Sequence, residues 1–266
     1  MAREVFIEIK NLSKEFPPIV AVNNVSLQIN RGEIKGLIGE NGSGKSTISS
    51  VISGIYPQSS GEMYLEGERY NPASPLAAKD AGIAMIVQEK GTIDNLTVAE
   101  NIFLGDEYRF REKGLIKKKA IYKAAGVALQ KIGIDNINVK QSINNLNLET
   151  RKLIEMARAV YYDPELLIID ETTTALSNNG REILYNLIKM FKENNKTVLF
   201  ISHDIEELID VCDNLTVLRD GEKIKTIEKD DFDEQLIKKT MVGREIKKNF
   251  YRSDYESSSS KQRTIR

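Results

Sequence analysis

The stretch GENGSGKST at 39–47 constrains this chain more than any other. It satisfies G-x-x-x-x-G-K-[ST], follows the apolar run EIKGLIG (33–39), and precedes a helix expected to begin near Gly44. A strand that turns through glycines into a helix leaves successive backbone N–H groups pointing inward. Such a nest binds phosphate oxygens, and the helix N-terminus adds a partial positive charge. Gly39, Glu40, Asn41, Gly42, Ser43 and Gly44 form the turn. Lys45 supplies a cation for the β- and γ-phosphates, the Ser46 hydroxyl is suited to Mg²⁺, and Thr47 follows. A glycine-rich turn that binds nothing is the plain alternative, and the strand-to-helix context argues against it.

The rest of the chain supplies a matching scaffold. VFIEIK (5–10) and VNNVSLQI (22–29) read as antiparallel edge strands, and MYLEG (63–67) as another short strand. IAMIVQ (83–88) is an apolar run of the kind buried on both faces of a sheet. From about Gly91 to Tyr161 the pattern turns helical. Strand–helix alternation then returns with LLIID (166–170), a helix over about 180–194, TVLFIS from Thr197, a helix over about 204–212, and LTVLRDG (215–221). This predicts an α/β fold: a parallel-sheet core, an N-terminal antiparallel β part and an inserted helical subdomain. The expected division is a core of 1–90 and 162–250, an insertion of 91–161, and a disordered tail of 251–266 that includes RSDYESSSSKQRTIR.

Composition narrows the partners. Across 266 residues, 38 Lys+Arg nearly balance 39 Asp+Glu, which gives no global signal for nucleic acid. The triplet KKK (117–119) reads as a solvated helix end. The single cysteine, Cys212, excludes an internal disulfide framework and reads as a small buried apolar residue. No apolar run is long enough to span a bilayer, and MAREVFIEIK lacks the apolar stretch of a signal peptide. A cytoplasmic protein able to sit on a membrane protein is the expectation.

Further polar residues fall where the ligands of open α/β sheets bind, beyond strand carboxyl ends. LLIIDE (166–171) ends in two acids. Asp170 is placed to hold Mg²⁺ through water, and Glu171 to polarise an attacking water. Gln88 ends IAMIVQ, and His203, the lone histidine, follows the strand in FISHD.

The P-loop, Gln88, DE at 170–171, ALS at 175–177 and SHD at 202–204 occur in the order found in ATP-binding-cassette (ABC) ATPases, which the chain resembles from about Ile9 to Arg244. NLTVAENIFLG (95–105), KLIEMARAV (152–160), VCDNLTVLRDG (211–221) and MVGREI (241–246) resemble the first cassette of monosaccharide importers of the ribose/galactose type. Those usually carry two cassettes in one chain, and this chain ends about where the first would. The resemblance implies a P-loop NTPase fold and an ATPase that uses ATP and Mg²⁺ to energise uptake of a monosaccharide or related small polar solute. It implies residence on the inner face of the cell membrane against permease subunits, and an indirect link to a solute-binding protein. It also implies roles: Lys45, Ser46 and Thr47 at phosphate and Mg²⁺, Gln88 at Mg²⁺ and the lytic water, Glu171 as base, and His203 at the γ-phosphate. Phe16 would stack on adenine, with core packing as the alternative. A soluble ABC ATPase acting on ribosomes or DNA, and a non-hydrolysing regulatory cassette, are the competing functions. The charged helical linker between two cassettes that ribosomal members carry and the long coiled coil of DNA-repair members are not visible, and intact Lys45, Glu171 and His203 argue against a non-hydrolysing module.

Two positions depart from the family. Thr172 stands where the family has proline. In LNLET (146–150), the loop that elsewhere caps the other cassette's ATP with a serine and glycines, Asn147 replaces serine and Glu149 replaces glycine. A carboxylate near a triphosphate adds repulsion of about 1 kcal/mol per charge pair in water, and several-fold more when desolvated. The expectation is a poor phosphate cap, and a working form that pairs this chain with a second cassette bearing an intact signature.

Overall fold

The structure, a computed structural model, describes residues 4–88 and 91–243. The expected tail therefore lies outside the described residues. Two sheets organise the chain. β1 (Val5–Phe16), β2 (Ile19–Asn30), β4 (Ser60–Leu65) and β5 (Glu68–Arg69) form an antiparallel sheet in the order β2-β1-β4-β5. Of the two strands expected at edges, only β2 lies at one. β1 is interior because β4 pairs along its other side, Ile7 opposite Leu65 and Ile9 opposite Met63.

The second sheet has the order β12-β11-β3-β10-β9-β6. Its members are β3 (Ile34–Ile38), β6 (Ile83–Ile86), β9 (Leu166–Asp170), β10 (Thr197–Ile201), β11 (Asn214–Arg219) and β12 (Glu222–Glu228). All pairings are parallel except that of β12, which returns from β11 as a hairpin. β3, β9 and β10 are buried along their whole length, as continuous apolar strands covered on both faces should be. IAMIVQ behaves differently: β6 stops at Ile86 and forms the sheet's edge, so Val87 and Gln88 lie beyond the strand.

Side chains alternate between two cores with the strand period of two. Leu37, Ile168, Leu199 and Ile201 face a core shared with the antiparallel sheet and with α1 (Lys45–Ile52). Ile38, Leu167, Ile169, Val198 and Phe200 face the other core. That second core is covered by α6 (Asn178–Glu193) and α7 (Ile205–Val211). It continues without a break into the packing of α3 (Val98–Ile102), α4 (Lys118–Lys131) and α5 (Leu148–Val160). α2 (Pro75–Asp80) precedes β6, and α8 (Glu234–Val242) ends the described chain. The stretch expected to be helical also holds a small hairpin, β7 (Arg111–Glu112) with β8 (Leu115–Ile116). Its turn passes through Lys113 and Gly114, both at positive φ.

Caps explain why the helices start where they do. Thr97 and Glu100 form a reciprocal capping box on α3, Asn147 caps α5, Ser177 caps α6 and Asp204 caps α7. Among the described residues no helix is long and apolar enough to cross a membrane.

One buried ionic cluster ties the sheet's strands at the end opposite the P-loop. The Lys35 ammonium donates to Glu33 Oε1 (3.0 Å) and Asn214 Oδ1 (2.6 Å), and the Asn214 amide donates to Glu33 Oε1 (2.8 Å). All three residues are buried. Removing one partner strands a charge in the interior, so Glu33→Ala should cost about 3–5 kcal/mol in urea unfolding. The apolar pair Glu33→Leu with Lys35→Met should recover most of that loss. A single variant as stable as the wild type would show that the charges are not coupled.

Candidate nucleotide site

Parallel register brings the polar strand ends together. Ile201 of β10 pairs with Leu37 of β3 on one side and Asp170 of β9 on the other, and β6 ends beside β9. The P-loop, Asp170–Glu171, Ser202–His203 and Gln88 therefore emerge along one edge. The P-loop, Gln88 and Glu171 border a cleft of about 440 Å³ lined by Asn41, Gly42, Gly44 to Thr47, Gln88 and Glu171, with Ile19, Val20 and Ala21 of β2 as a further wall.

The P-loop has the shape its sequence predicts. Gly42 and Gly44 sit at φ +82° and +99°, and a Cβ on Gly44 would meet the Ala21 carbonyl oxygen at 2.8 Å. Gly44 opens α1 without a side-chain cap, and no acid occupies the helix's first turn. The Lys45 ammonium is buried and folded back, donating to the carbonyls of Gly39 (2.8 Å) and Glu40 (3.1 Å). Burial lowers its pKa, partly opposed by the carboxylates of Glu171 and Asp170. The Ser43 hydroxyl is buried and makes no hydrogen bond among the described residues. Uncapped N–H groups, an open face at Gly42, an orphaned hydroxyl and an internal cation fit a polyphosphate.

The donor set for a cation is equally suited. Ser46 Oγ donates to Asp170 Oδ1 (3.2 Å) and Ser49 Oγ to Asp170 Oδ2 (3.4 Å). Burial raises the Asp170 pKa, and the nearby Glu171 charge raises it further, against the lowering effect of the two hydroxyls. A divalent cation would reverse that cost. Among the described residues no three His, Cys, Asp or Glu side chains converge, so Mg²⁺ here would complete its shell with phosphate oxygens and water.

Glu171 is the hub of the site. It adopts a left-handed conformation at φ +41°, and its N–H donates to the Ile201 carbonyl at 3.0 Å. Its side chain is only 10% exposed. The Gln88 amide donates to Glu171 Oε2 (2.9 Å), Lys45 Nζ lies 3.9 Å from Oε1, and His203 Nδ1 lies 3.8 Å from Oε2. His203 is accessible, with 55% of its side chain exposed. Thr172, at the proline position, is buried and donates its hydroxyl to the Asp170 carbonyl (3.2 Å), which holds the turn without a ring.

Phe16 is not a core residue. It is 36% exposed near the β1–β2 turn, edge-on to Tyr56 at 5.1 Å, with Lys14 Nζ 4.8 Å from its ring. Sequence reasoning missed the exposed Ile19 and Val20, which lie nearer the P-loop, and Ser49, whose role depends on where α1 places it. It also missed a buried polar row on α5. Lys152 donates to the Val87 carbonyl (2.8 Å) and to Glu155 (2.7 Å), Glu155 accepts from the Gly91 N–H (2.7 Å), and Arg158 donates to the Gly91 carbonyl (2.8 Å). These bonds hold the chain on both sides of the segment that follows Gln88. The spacing of Lys152, Glu155 and Arg158 was the available signal, since it puts all three on one helix face.

The polar groups of LNLET are engaged within the chain. The Asn147 oxygen accepts from the Thr150 N–H (2.8 Å) as the cap of α5, and the Glu149 carboxylate is bound within the chain by Ser177. The acid is not left facing solvent without a partner.

The ABC transporter family matches residues 22–174. The chain is 37% identical over 254 residues to the xylose import ATP-binding protein XylG of Thermoanaerobacter pseudethanolicus, covering 95% of this chain and 50% of that one. It is 36% identical over 263 residues to the ribose import ATP-binding protein RbsA of Caldanaerobacter subterraneus subsp. tengcongensis, covering 99% and 52%. The chain thus spans about half the length of the curated relatives it matches. The dimeric structure of the bacterial ABC transporter cassette MJ0796 superposes with a TM-score of 0.73 at 26% identity, over 85% of this chain and 100% of that one. The cassette MJ1267 shares the fold, with a TM-score of 0.76 at 23% identity, over 91% and 98%.

Lys45→Ala removes the internal cation while leaving the backbone nest. It should weaken Mg-ATP binding at least about tenfold, or ~1.4 kcal/mol, in a calorimetric titration. Unchanged affinity would overturn the assignment of the site.

Proposed function

Since this chain belongs to the ABC transporter family, we propose that it is the ATP-binding and hydrolysing cassette of an importer for a monosaccharide or related small polar solute. The observation that carries the catalytic part is the contact set of Glu171: a carboxylate at the end of β9, hydrogen-bonded to Gln88 and within 4 Å of Lys45 and His203. The solute class rests on the relatives, which are named for ribose and xylose import.

Bound Mg-ATP would supply an electrophilic γ-phosphorus whose charge the metal offsets. The residues present would then act in stated ways. Lys45 exchanges the Gly39 and Glu40 carbonyls for phosphate oxygens, which better satisfy a buried ammonium. Ser46 and Gln88 would hold the cation, and Asp170 would hold it through water. Glu171 accepts a proton from the attacking water, Gln88 orients that water, and His203 donates to the γ-phosphate from the end of β10. Phe16, or the apolar wall of Ile19 and Val20, is available to the base.

Hydrolysis must be felt by a permease. A groove of about 330 Å³ between α2, β6 and the α3 end is lined by apolar Ile55, Leu76 and Leu104 together with Lys79, Asp106 and Arg158. Arg158 also holds Gly91 on the segment that follows Gln88, so a permease element seated there would push on the catalytic glutamine's loop. A solute-binding protein would act through that permease.

The partner cassette is a different one. Cassettes of this family close face to face, each capping the other's ATP with its signature loop. LNLET offers Asn147, whose oxygen is committed to the helix cap, and Glu149, which brings a negative charge. Two copies would form two poorly capped sites. A cassette with a serine-glycine signature would complete one good site on this chain's P-loop, and the second site could stay silent.

In the assembled transporter, Glu171→Gln should keep ATP binding and lower turnover by roughly 10²–10⁴-fold, the usual contribution of a general base. Wild-type turnover would remove Glu171 from that role. The isolated chain should be a slow ATPase, and its Glu171→Gln variant should remain monomeric with Mg-ATP on size exclusion with light scattering. A stable ATP-bound homodimer would refute the need for a different partner cassette.

A further inference from the structure

Glu149 and Gly180 fit one another across the starts of two helices that are distant in sequence. Glu149 lies in the first turn of α5 and Gly180 in the first turn of α6. Glu149 Oε1 accepts from the Ser177 backbone N–H (3.2 Å) and from the Ser177 hydroxyl. The Ser177 oxygen accepts in turn from the Gly180 N–H at 3.3 Å, which caps α6. Gly180 is buried and is not among the glycines at positive φ, so backbone freedom does not explain it. Space does: a Cβ at position 180 would lie 2.6 Å from Glu149 Oε1. Glycine within a helix costs stability relative to alanine. Here that cost makes room for a carboxylate oxygen. A loop that had only lost its phosphate would need no such seat on another helix.

Ser177 also closes the segment that begins at Glu171. From Glu171 the chain passes through a 3₁₀ turn, Thr172–Ala175, to the buried Leu176 and then Ser177. The near end is held by the Thr172 hydroxyl on the Asp170 carbonyl, and the turn by Thr174 Oγ1 on the Glu171 carbonyl (3.2 Å). The far end is held by Glu149. A non-glycine residue in the left-handed region is strained and persists only when its surroundings hold it there. Glu171 is such a residue, and its reach to Gln88 depends on that conformation.

We propose that Glu149 is a positioning residue for this chain's own ATP hydrolysis, bracing through Ser177 the turn that leaves Glu171. The residue that elsewhere belongs to a cap on another cassette's phosphate is here committed to the site on its own chain. This rests on the reading of Glu171 as the base, and the contact itself can be tested apart from that reading.

The experiment uses the full-length chain in three variants. Glu149→Ala removes the carboxylate and keeps α5 helical. Gly180→Ala pushes the carboxylate out while raising the helix propensity of α6. Glu149→Gln keeps an oxygen that can accept the same two bonds. Amide hydrogen exchange over residues 174–181 of the chain reports the contact, and steady-state turnover of the assembled transporter carrying each variant reports the site. Glu149→Ala and Gly180→Ala should each speed exchange in that segment about tenfold, by local opening. Each should lower kcat several-fold with little change in KM for ATP. Glu149→Gln should retain wild-type exchange and most of kcat. Unchanged exchange in both alanine variants would overturn the contact. Faster exchange with unchanged kcat would overturn the positioning role. A glutamine variant as impaired as alanine would overturn it in this hydrogen-bonded form. An assembled transporter in which Glu171→Gln turns over at the wild-type rate would overturn the reading of Glu171, and this role with it, while the exchange data would still decide the contact.

Discussion

The site depends on the lateral registry of four parallel strands. Leu37, Ile201 and Asp170 stand side by side at the ends of β3, β10 and β9, and β6 ends next to them. Backbone hydrogen bonds hold that registry, and two apolar cores seal it, one on each face. A slip of one residue would turn Ile168 and Ile169 to opposite faces, which both cores forbid. Because the strands cannot slip, the loops that leave them are aimed at one cleft.

Inside that cleft the protein accepts unfavourable electrostatics that a ligand would relieve. Lys45 is buried against carbonyl oxygens, Asp170 is buried under two hydroxyls, and Ser43 keeps an orphaned hydroxyl. Each departs from what a stable interior prefers. Together they describe a polyanion bridged by a cation. The cluster of Lys35, Glu33 and Asn214 at the opposite end shows the contrast. Its charges are satisfied internally, and it serves the fold alone.

The helical stretch does more than fill a gap in the sheet's cover. α5 holds the chain on both sides of the segment after Gln88 through Lys152, Glu155 and Arg158, and holds the far end of the Glu171 turn through Glu149. One helix thus reaches both sides of the Glu171 carboxylate. Movement of α5 relative to the sheet would shift Gln88 and Glu171 together, which links the groove lined by Arg158 to the cleft.

What the sequence determined by itself was local. GENGSGKST specifies its own turn because glycines at fixed spacing admit a backbone that other residues resist, and apolar runs ending in Asp-Glu, Gln and Ser-His specify strand ends. These features need only near neighbours in the chain, so the α/β fold, the P-loop and the polar strand ends were all legible. The tertiary structure decided what depends on residues far apart in sequence. β1 became interior because β4 pairs with it, β6 became an edge because no further strand joins it among the described residues, and Phe16 stayed outside the core. Glu149 is the sharpest case. Read alone, it is a charge in the wrong place. Its partner Ser177 lies 28 residues away and the space it occupies is provided by Gly180, and only folding brings a carboxylate, two donors and a missing Cβ to one point.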